Sequence, residues 1–148
     1  MKEASGNDHL AIAWEYPGQP LEVIPAKASR VKLTCAMDLH CGAILNTWTD
    51  ISGDSVADLM FATNNLTSKP NQSTRLTNLL ESPTNIGDNY GSRMKGWLVP
   101  PVTGTYSFWI ASDDYGEFWL STDDDPAGTP LWSDWSRLDS SEDEVRAV

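Results

Sequence analysis

Two adjacent carboxylates, Asp113 and Asp114, interrupt an aromatic, strand-like run in Ser112-Asp113-Asp114-Tyr115-Gly116-Glu117-Phe118. Successive side chains of a strand point to opposite faces, so neighbouring aspartates on a strand would diverge and one would head for the core. A turn between two strands removes that conflict, and three chemistries suit the pair there. The plainest is a solvated turn in which each carboxylate accepts backbone N–H bonds. The second is a Ca²⁺ site: a kinked or cis Asp113–Asp114 peptide lets both carboxylates converge on an ion that takes about six to eight oxygen ligands. A cis bond away from proline costs about 3 to 4 kcal/mol, so something must hold it. A second loop must also bring further oxygens. The third, in which Asp113, Asp114 and Glu117 are the acid and base of a glycosidase, is disfavoured because adjacent residues do not easily flank a sugar ring from opposite faces.

The flanking residues predict how such a turn is held. Tyr106, Phe108 and Ile110 alternate with Ser107 and Trp109 before it, and Phe118 and Leu120 resume the alternation after it. Upstream, Met94, Gly96 and Leu98 alternate with Lys95 and Trp97, and Pro100 to Gly104 makes a turn. Residues 9–16 read as a strand stopped by Pro17-Gly18-Gln19-Pro20. Residues 21–25 read as a short edge strand, because Pro25 cannot donate to a ladder. A further short strand is expected at Val31 to Cys35. Residues 53–59 suit one helical turn capped by Asp54 or Ser55. From Ala62 to Asn89 the chain reads as long polar connections with one ordered piece near residues 75–80. Regular strands between turn signals predict an all-β fold, an antiparallel β-sandwich with few or no helices.

Composition narrows the partners. With 21 acidic and 10 basic side chains the net charge is -11, which repels phosphate backbones and anionic lipid and suits cations or neutral polar ligands. No nucleic-acid partner and no membrane insertion are expected, since no apolar run reaches about 18 residues. The first residues lack the apolar stretch of a signal peptide and read as a cut rather than a leader. Cys35 and Cys41, in CAMDLHC, suit a small disulfide ring in an oxidising setting, contributing roughly 2 kcal/mol. Sequons at Asn65 and Asn71 fit a glycosylated surface loop. Free thiols and unmodified asparagines in a bacterial or cytosolic protein are the alternative. His9 and His40 have no zinc spacing, and Asp123 to Gly128 with Asp134 only imitates an EF-hand loop, so a solvated acidic turn is expected there. Trp97, Trp109, Trp119, Trp132 and Trp135 are better read as packing residues than as sugar platforms. The acidic stretch from Asp139 to Glu144 reads as solvated.

The run from Tyr90 to Gly128, with its Gly-aromatic strand end, Pro-Pro-x-x-Gly-x-Tyr-x-Phe turn and strand, Ser-Asp-Asp and subsequent apolar strand, resembles the PA-14 domain. That is the carbohydrate-binding domain named for the anthrax protective antigen and also found in flocculins, adhesins and some β-glucosidases. Residues 44–59 resemble the opening of such domains, so the likeness spans about residues 44–136. Sugar-binding members hold Ca²⁺ with an aspartate pair joined by a cis peptide, and the ion contacts sugar hydroxyls. By position this implies Asp113 and Asp114 as metal ligands, with Tyr115 standing before Gly116 where the simplest family pattern has Gly directly after the pair. Tyr115 and Glu117, beside the pair, become candidate ligand contacts.

In the family the remaining calcium ligands come from a second loop that precedes a late strand. Residues 2–14 resemble that loop and strand, and Pro17 to Ala26 resemble the segment that comes after them in the family. The resemblance thus divides the chain into residues 1–30, like the C-terminal end of a PA-14 domain, and 31–148, a PA-14-like sandwich lacking its own last strands. Asn7 and Asp8 are expected in the second calcium loop, with the N-terminal strand completing either this sandwich or that of a neighbouring copy by strand addition. The expectation is a non-enzymatic, calcium-dependent carbohydrate-binding module, lectin-like or adhesin-like, secreted or on the cell surface, with glycans or cell-surface polysaccharide as partners. The alternative is a structural module of a tandem extracellular array without sugar binding.

Overall fold

The computed structural model describes residues 1–6, 8–30, 42–121, 135–139 and 145–147. The strands are β1 (Lys2–Glu3), β2 (Leu10–Tyr16), β3 (Gln19–Val23), β4 (Ser29–Arg30), β5 (Ala43–Trp48), β6 (Gln72–Leu76), β7 (Tyr90–Lys95), β8 (Trp97–Leu98), β9 (Tyr106–Ser112), β10 (Glu117–Ser121), β11 (Trp135–Asp139) and β12 (Val145–Ala147). Among the described residues one α-helix, α1 (Val56–Ala62), lies between β5 and β6, and a single 3-10 turn spans Ala26–Ala28. The larger sheets run in the orders β1-β7-β5-β6 and β12-β9-β2-β3, while β10-β11 and β4-β8 form two-stranded ribbons. All pairings within these sheets and ribbons are antiparallel, and the protein is an all-β sandwich.

The N-terminal strand is part of this sandwich. Strand β2 pairs with β9 of the same chain, with Ile12 opposite Ile110 and Trp14 opposite Phe108. The motive is burial: Trp14 is 1% exposed and packs with Ile12, Ile24, Ala43, Leu80, Tyr106 and Phe108. Rings continue outward, with Tyr16 stacked on Tyr106 at 5.0 Å and Phe118 at 5.4 Å from Phe108. The edge strand begins at Gln19 rather than Leu21, and its Pro20 is tolerated on the sheet's margin.

The ordered piece expected near residues 75–80 is displaced to β6, which pairs with β5 from Thr47↔Gln72 to Ala43↔Leu76. Its polar sequence QSTRL offers little period-two contrast, and the pairing supplies what the pattern does not. Helix α1 begins as its cap predicts. The Ser55 hydroxyl accepts from Asp58 N at 3.2 Å, and the Asp58 carboxylate accepts in return from Ser55 N at 3.1 Å. Leu59 is thereby set against Trp48 and Ile51 in a separate cluster. Strands β11 and β12 have sequences without clear alternation and are additions to the expected set; they extend β10 and β9.

The segments that hold Cys35, Cys41, Trp132, Asp134 and residues 123–128 lie outside the described residues, as do Asn7 and the strand expected at residues 31–35.

Candidate functional site

The Asp113–Asp114 turn joins β9 to β10 at the sandwich end where Leu10 pairs with Ser112. Three segments meet there. Backbone bonds run both ways between Lys2 and Tyr115, Lys2 N to Tyr115 O at 2.7 Å and Tyr115 N to Lys2 O at 3.3 Å. Ala4 N donates to Asp114 Oδ2 at 2.7 Å, and Asp113 N donates to His9 O at 3.0 Å. The exposed loop 83–89 flanks the other side: Asn89 N donates to Ala4 O, and Gly6 N donates to Asp88 Oδ1. Residues far apart in sequence are thus joined at one end by backbone pairing, before any side-chain chemistry is considered.

Within the turn the expected cis bond is replaced by another device. No peptide bond among the described residues is cis, and Asp114 instead adopts a left-handed conformation, φ 54. The turn is held by both carboxylates: Asp114 N donates to Asp113 Oδ1 at 3.0 Å, and Asp114's own carboxylate accepts from Ala4 N, in a backbone region that aspartate enters more readily than most residues. Gly116 is required two residues on because a Cβ at that position would strike the Ser112 side chain. Asp113 and Asp114 are both exposed, and Tyr115 is 53% exposed beside them. Glu117 lies half-buried at the start of β10, its Oε2 accepting from Trp119 Nε1 at 3.0 Å.

Behind the exposed pair lies a buried acidic layer. Glu3 is 0% exposed, and neither of its carboxylate oxygens has a hydrogen-bond partner. Burial, then the charges of Asp114, Asp113 and Asp8, push its carboxyl up to about 7, with Lys2 opposing weakly. Asp8 is 1% exposed, and its Oδ2 accepts from Ile86 N at 2.7 Å and Gly87 N at 3.2 Å. The Tyr90 hydroxyl is buried beside the Asp8 carboxylate and is driven up by burial, then by the charges of Asp8 and Glu3 and by its hydrogen-bonding contact with Asp8. Lys2, on the opposite side of β1 by strand alternation, directs its ammonium to the Glu3 backbone carbonyl. His9 pairs with Glu81 at 2.9 Å.

Sequence reasoning identifies Asp113, Asp114, Tyr115 and Asp8 in this region and misses Glu3 and Tyr90. A charged residue on a two-residue edge strand carries no signal of burial by itself. Asp8 comes to the region with its carboxylate engaged by the 86–87 backbone rather than turned outward. Asn65 and Asn71 are both exposed, on the segment between α1 and β6, and Asn71 Oδ1 accepts from Thr49 N at 3.0 Å.

The donor set fits Ca²⁺ in kind. It consists of hard anionic oxygens, of which Glu3 Oε1 and Oε2 are buried without a hydrogen-bond partner. Among the described residues no three acidic, histidine or cysteine side chains converge closely enough to chelate a metal. Backbone carbonyls and water would have to supply much of the coordination. A pocket of about 180 Å³ behind loop 83–89 is lined by Thr47, Thr74, Asp88 and Tyr90 among others. The larger pocket, about 420 Å³ around Glu15 to Pro20, lies at the opposite end of the β2–β9 pair and lacks this acidic cluster.

The acidic turn and its exposed tyrosine are carried at one end of a rigid antiparallel sandwich, a place where loops commonly hold functional residues. The chain belongs to the PA14 domain family, whose model matches residues 46–126, more than half of its length. It is also 44% identical over 62 residues to the mouse (Mus musculus) protein named N-acetyl-beta-glucosaminyl-glycoprotein 4-beta-N-acetylgalactosaminyltransferase 1. That match covers 42% of this chain and 6% of the mouse protein, so the chain spans a small part of that relative. No solved structure matches. Among the described residues no helix is long and apolar enough to cross a membrane.

Proposed function

We propose that this chain is a calcium-dependent carbohydrate-binding module of a secreted or cell-surface protein, acting by recognition without turnover. The observation that carries the reading is the convergence of the Asp113–Asp114 turn with the N-terminal acidic segment at an exposed end of the sandwich. Membership in the PA14 family and likeness to a protein named for glycan transfer support it. Asp113 and Asp114 would hold the ion, with Asp8 and Asn7 contributing from the second segment. When bound, Ca²⁺ supplies coordination positions that sugar hydroxyls take from water. Tyr115 and Glu117 border the turn and would select among sugars by stacking and hydrogen bonding.

One observation favours a structural reading instead: Asp113 Oδ1 and Asp114 Oδ2 both already accept backbone N–H bonds, as residues that only rigidify a turn would. Retention on an immobilised glycan panel separates the two. The lectin reading expects retention in calcium, release by chelator, and loss of both in the Asp113→Asn, Asp114→Asn double variant. Wild-type protein that flows through every glycan column in calcium would leave the structural reading in place.

A further inference from the structure

The cleft behind loop 83–89 is lined by neither aspartate of the turn. We propose that it is a second carbohydrate subsite, independent of any metal, which takes one neutral sugar ring. The inference goes beyond the calcium reading and does not rest on it.

Strand register builds the floor of the cleft. Trp48 packs with Leu59 of α1, so by alternation Leu45 and Thr47 lie on the other face of β5. Across the ladder Gln72 faces Thr47 and Thr74 faces Leu45. Gln72 Nε2 donates to Thr74 Oγ1 at 3.2 Å, which holds both side chains on that face. Loop 83–89 supplies the facing wall through Ile86, Gly87 and Asp88.

That wall is held by devices that an idle surface loop does not need. Asp8, 1% exposed, directs its Oδ2 to Ile86 N and Gly87 N, and its backbone carbonyl accepts from Asn85 N. A carboxylate is costly to bury, and here the burial fixes a segment that is itself exposed. Asn85, Gly87 and Asn89 have φ of 55, 146 and 52. Such backbone persists only where its surroundings impose it, and it gathers at ligand clamps. Ile86 stays 46% exposed at the mouth of the cleft. The result is a cavity formed before any ligand arrives, which lowers the ordering cost of binding.

The lining selects the ligand class. Leu45 and Ile86 offer apolar surface to the C–H face of a sugar ring, while the Thr47 and Thr74 hydroxyls and the Gln72 amide suit its hydroxyls. Asp88 is the one charged residue of the lining, and with a net charge of -11 it turns anions away. At about 180 Å³ the cleft is smaller than the roughly 300 Å³ of sites for drug-sized ligands, so it suits a single ring.

The test is a titration followed in ¹⁵N amide spectra, in chelator, with the methyl glycosides of glucose, galactose, mannose and N-acetylglucosamine, and with glucuronate as the anionic control. At least one of the four glycosides should move the amides of Thr47, Gln72, Thr74 and Gly87 saturably, and do so equally in the Asp113→Asn, Asp114→Asn variant. Thr74→Trp, which fills the cleft, should abolish the response. Gln72→Ala, which removes an exposed side chain from the edge strand, should weaken it at least about three-fold. Cleft amides that stay still with all four glycosides would overturn the proposal, as would an unchanged response in folded Thr74→Trp and Gln72→Ala protein. A response lost in the double aspartate variant would move the sugar to the turn, and an equal response to glucuronate would overturn the neutral class. The calcium reading is judged apart from this, because chelator and the double variant silence the turn and leave the cleft intact.

Discussion

Tyr115 stands 53% exposed one residue beyond the aspartate pair, and its backbone, not its ring, is what ties the turn to β1. Its backbone N–H and C=O make both bonds to Lys2, so the side chain can be removed without loosening the turn. Tyr115→Ala should therefore keep calcium affinity and melting temperature while lowering glycan retention. An unchanged elution position from a column that retains wild type would exclude the ring as a sugar contact. Asp58 gives a second residue-level test, this time of pH. Hydrogen bonds from the Ser55 side chain, then its backbone, hold the Asp58 carboxyl below its ordinary value. A folded-state pKa depressed in this way contributes stability above the unfolded value, about 3.9, and loses it as pH falls through the folded value. Asp58→Asn should thus be less stable than wild type at pH 7, with the gap closing below about pH 4. Parallel melting curves showing a constant gap down to acid would contradict the capping role.

At the scale of elements, α1 is seated by a glycine on the strand beneath it. Gly91 of β7 lies opposite both Lys2 and Trp48, and a Cβ there would collide with the isobutyl group of Leu59, itself 1% exposed. Leu59 has no open space to move into, so Gly91→Ala should cost about 1 to 3 kcal/mol by overpacking. Shortening Leu59 should relieve the clash, and a double-mutant cycle of Gly91→Ala with Leu59→Ala should show coupling above about 0.5 kcal/mol. Additive losses in urea melts would mean that the two positions do not compete for space. Elements of this kind divide cleanly by how far the sequence announces them. Strands β2, β9 and β10 and the Ser55 cap are legible because alternation and capping chemistry are local. Strand β6 is read only in part, because its polar residues owe their conformation to β5. The trans, left-handed Asp114 is not legible, since a carboxylate pair before glycine suits several turn geometries. The burial of Glu3 is set by segments more than eighty residues away, and no local pattern encodes it.

For the whole molecule, the residues that match the PA14 family, 46–126, are not the residues that form the folded unit. Both sheet neighbours of β9 lie outside them, β2 before and β12 after, and so does β11, the partner of β10. The aspartate turn would keep its own sequence but lose its bonds to Lys2, Ala4 and His9. Leu10, Ile12, Trp14 and Ile24, each at most 8% exposed, would also be missing from the core. At about 1.5 to 3 kcal/mol for each large buried side chain, their loss removes on the order of 6 to 12 kcal/mol, comparable to the whole stability of a domain. An open β9 would in addition expose two unpaired edges to other chains. A fragment of residues 46–126 should therefore show no cooperative thermal transition, collapsed amide dispersion in NMR spectra and no calcium uptake, whereas the full chain melts cooperatively, disperses its amide signals and binds the ion. If that fragment melts cooperatively and binds Ca²⁺, the N-terminal segment is an accessory, and the site is built by the Asp113–Asp114 loop without it.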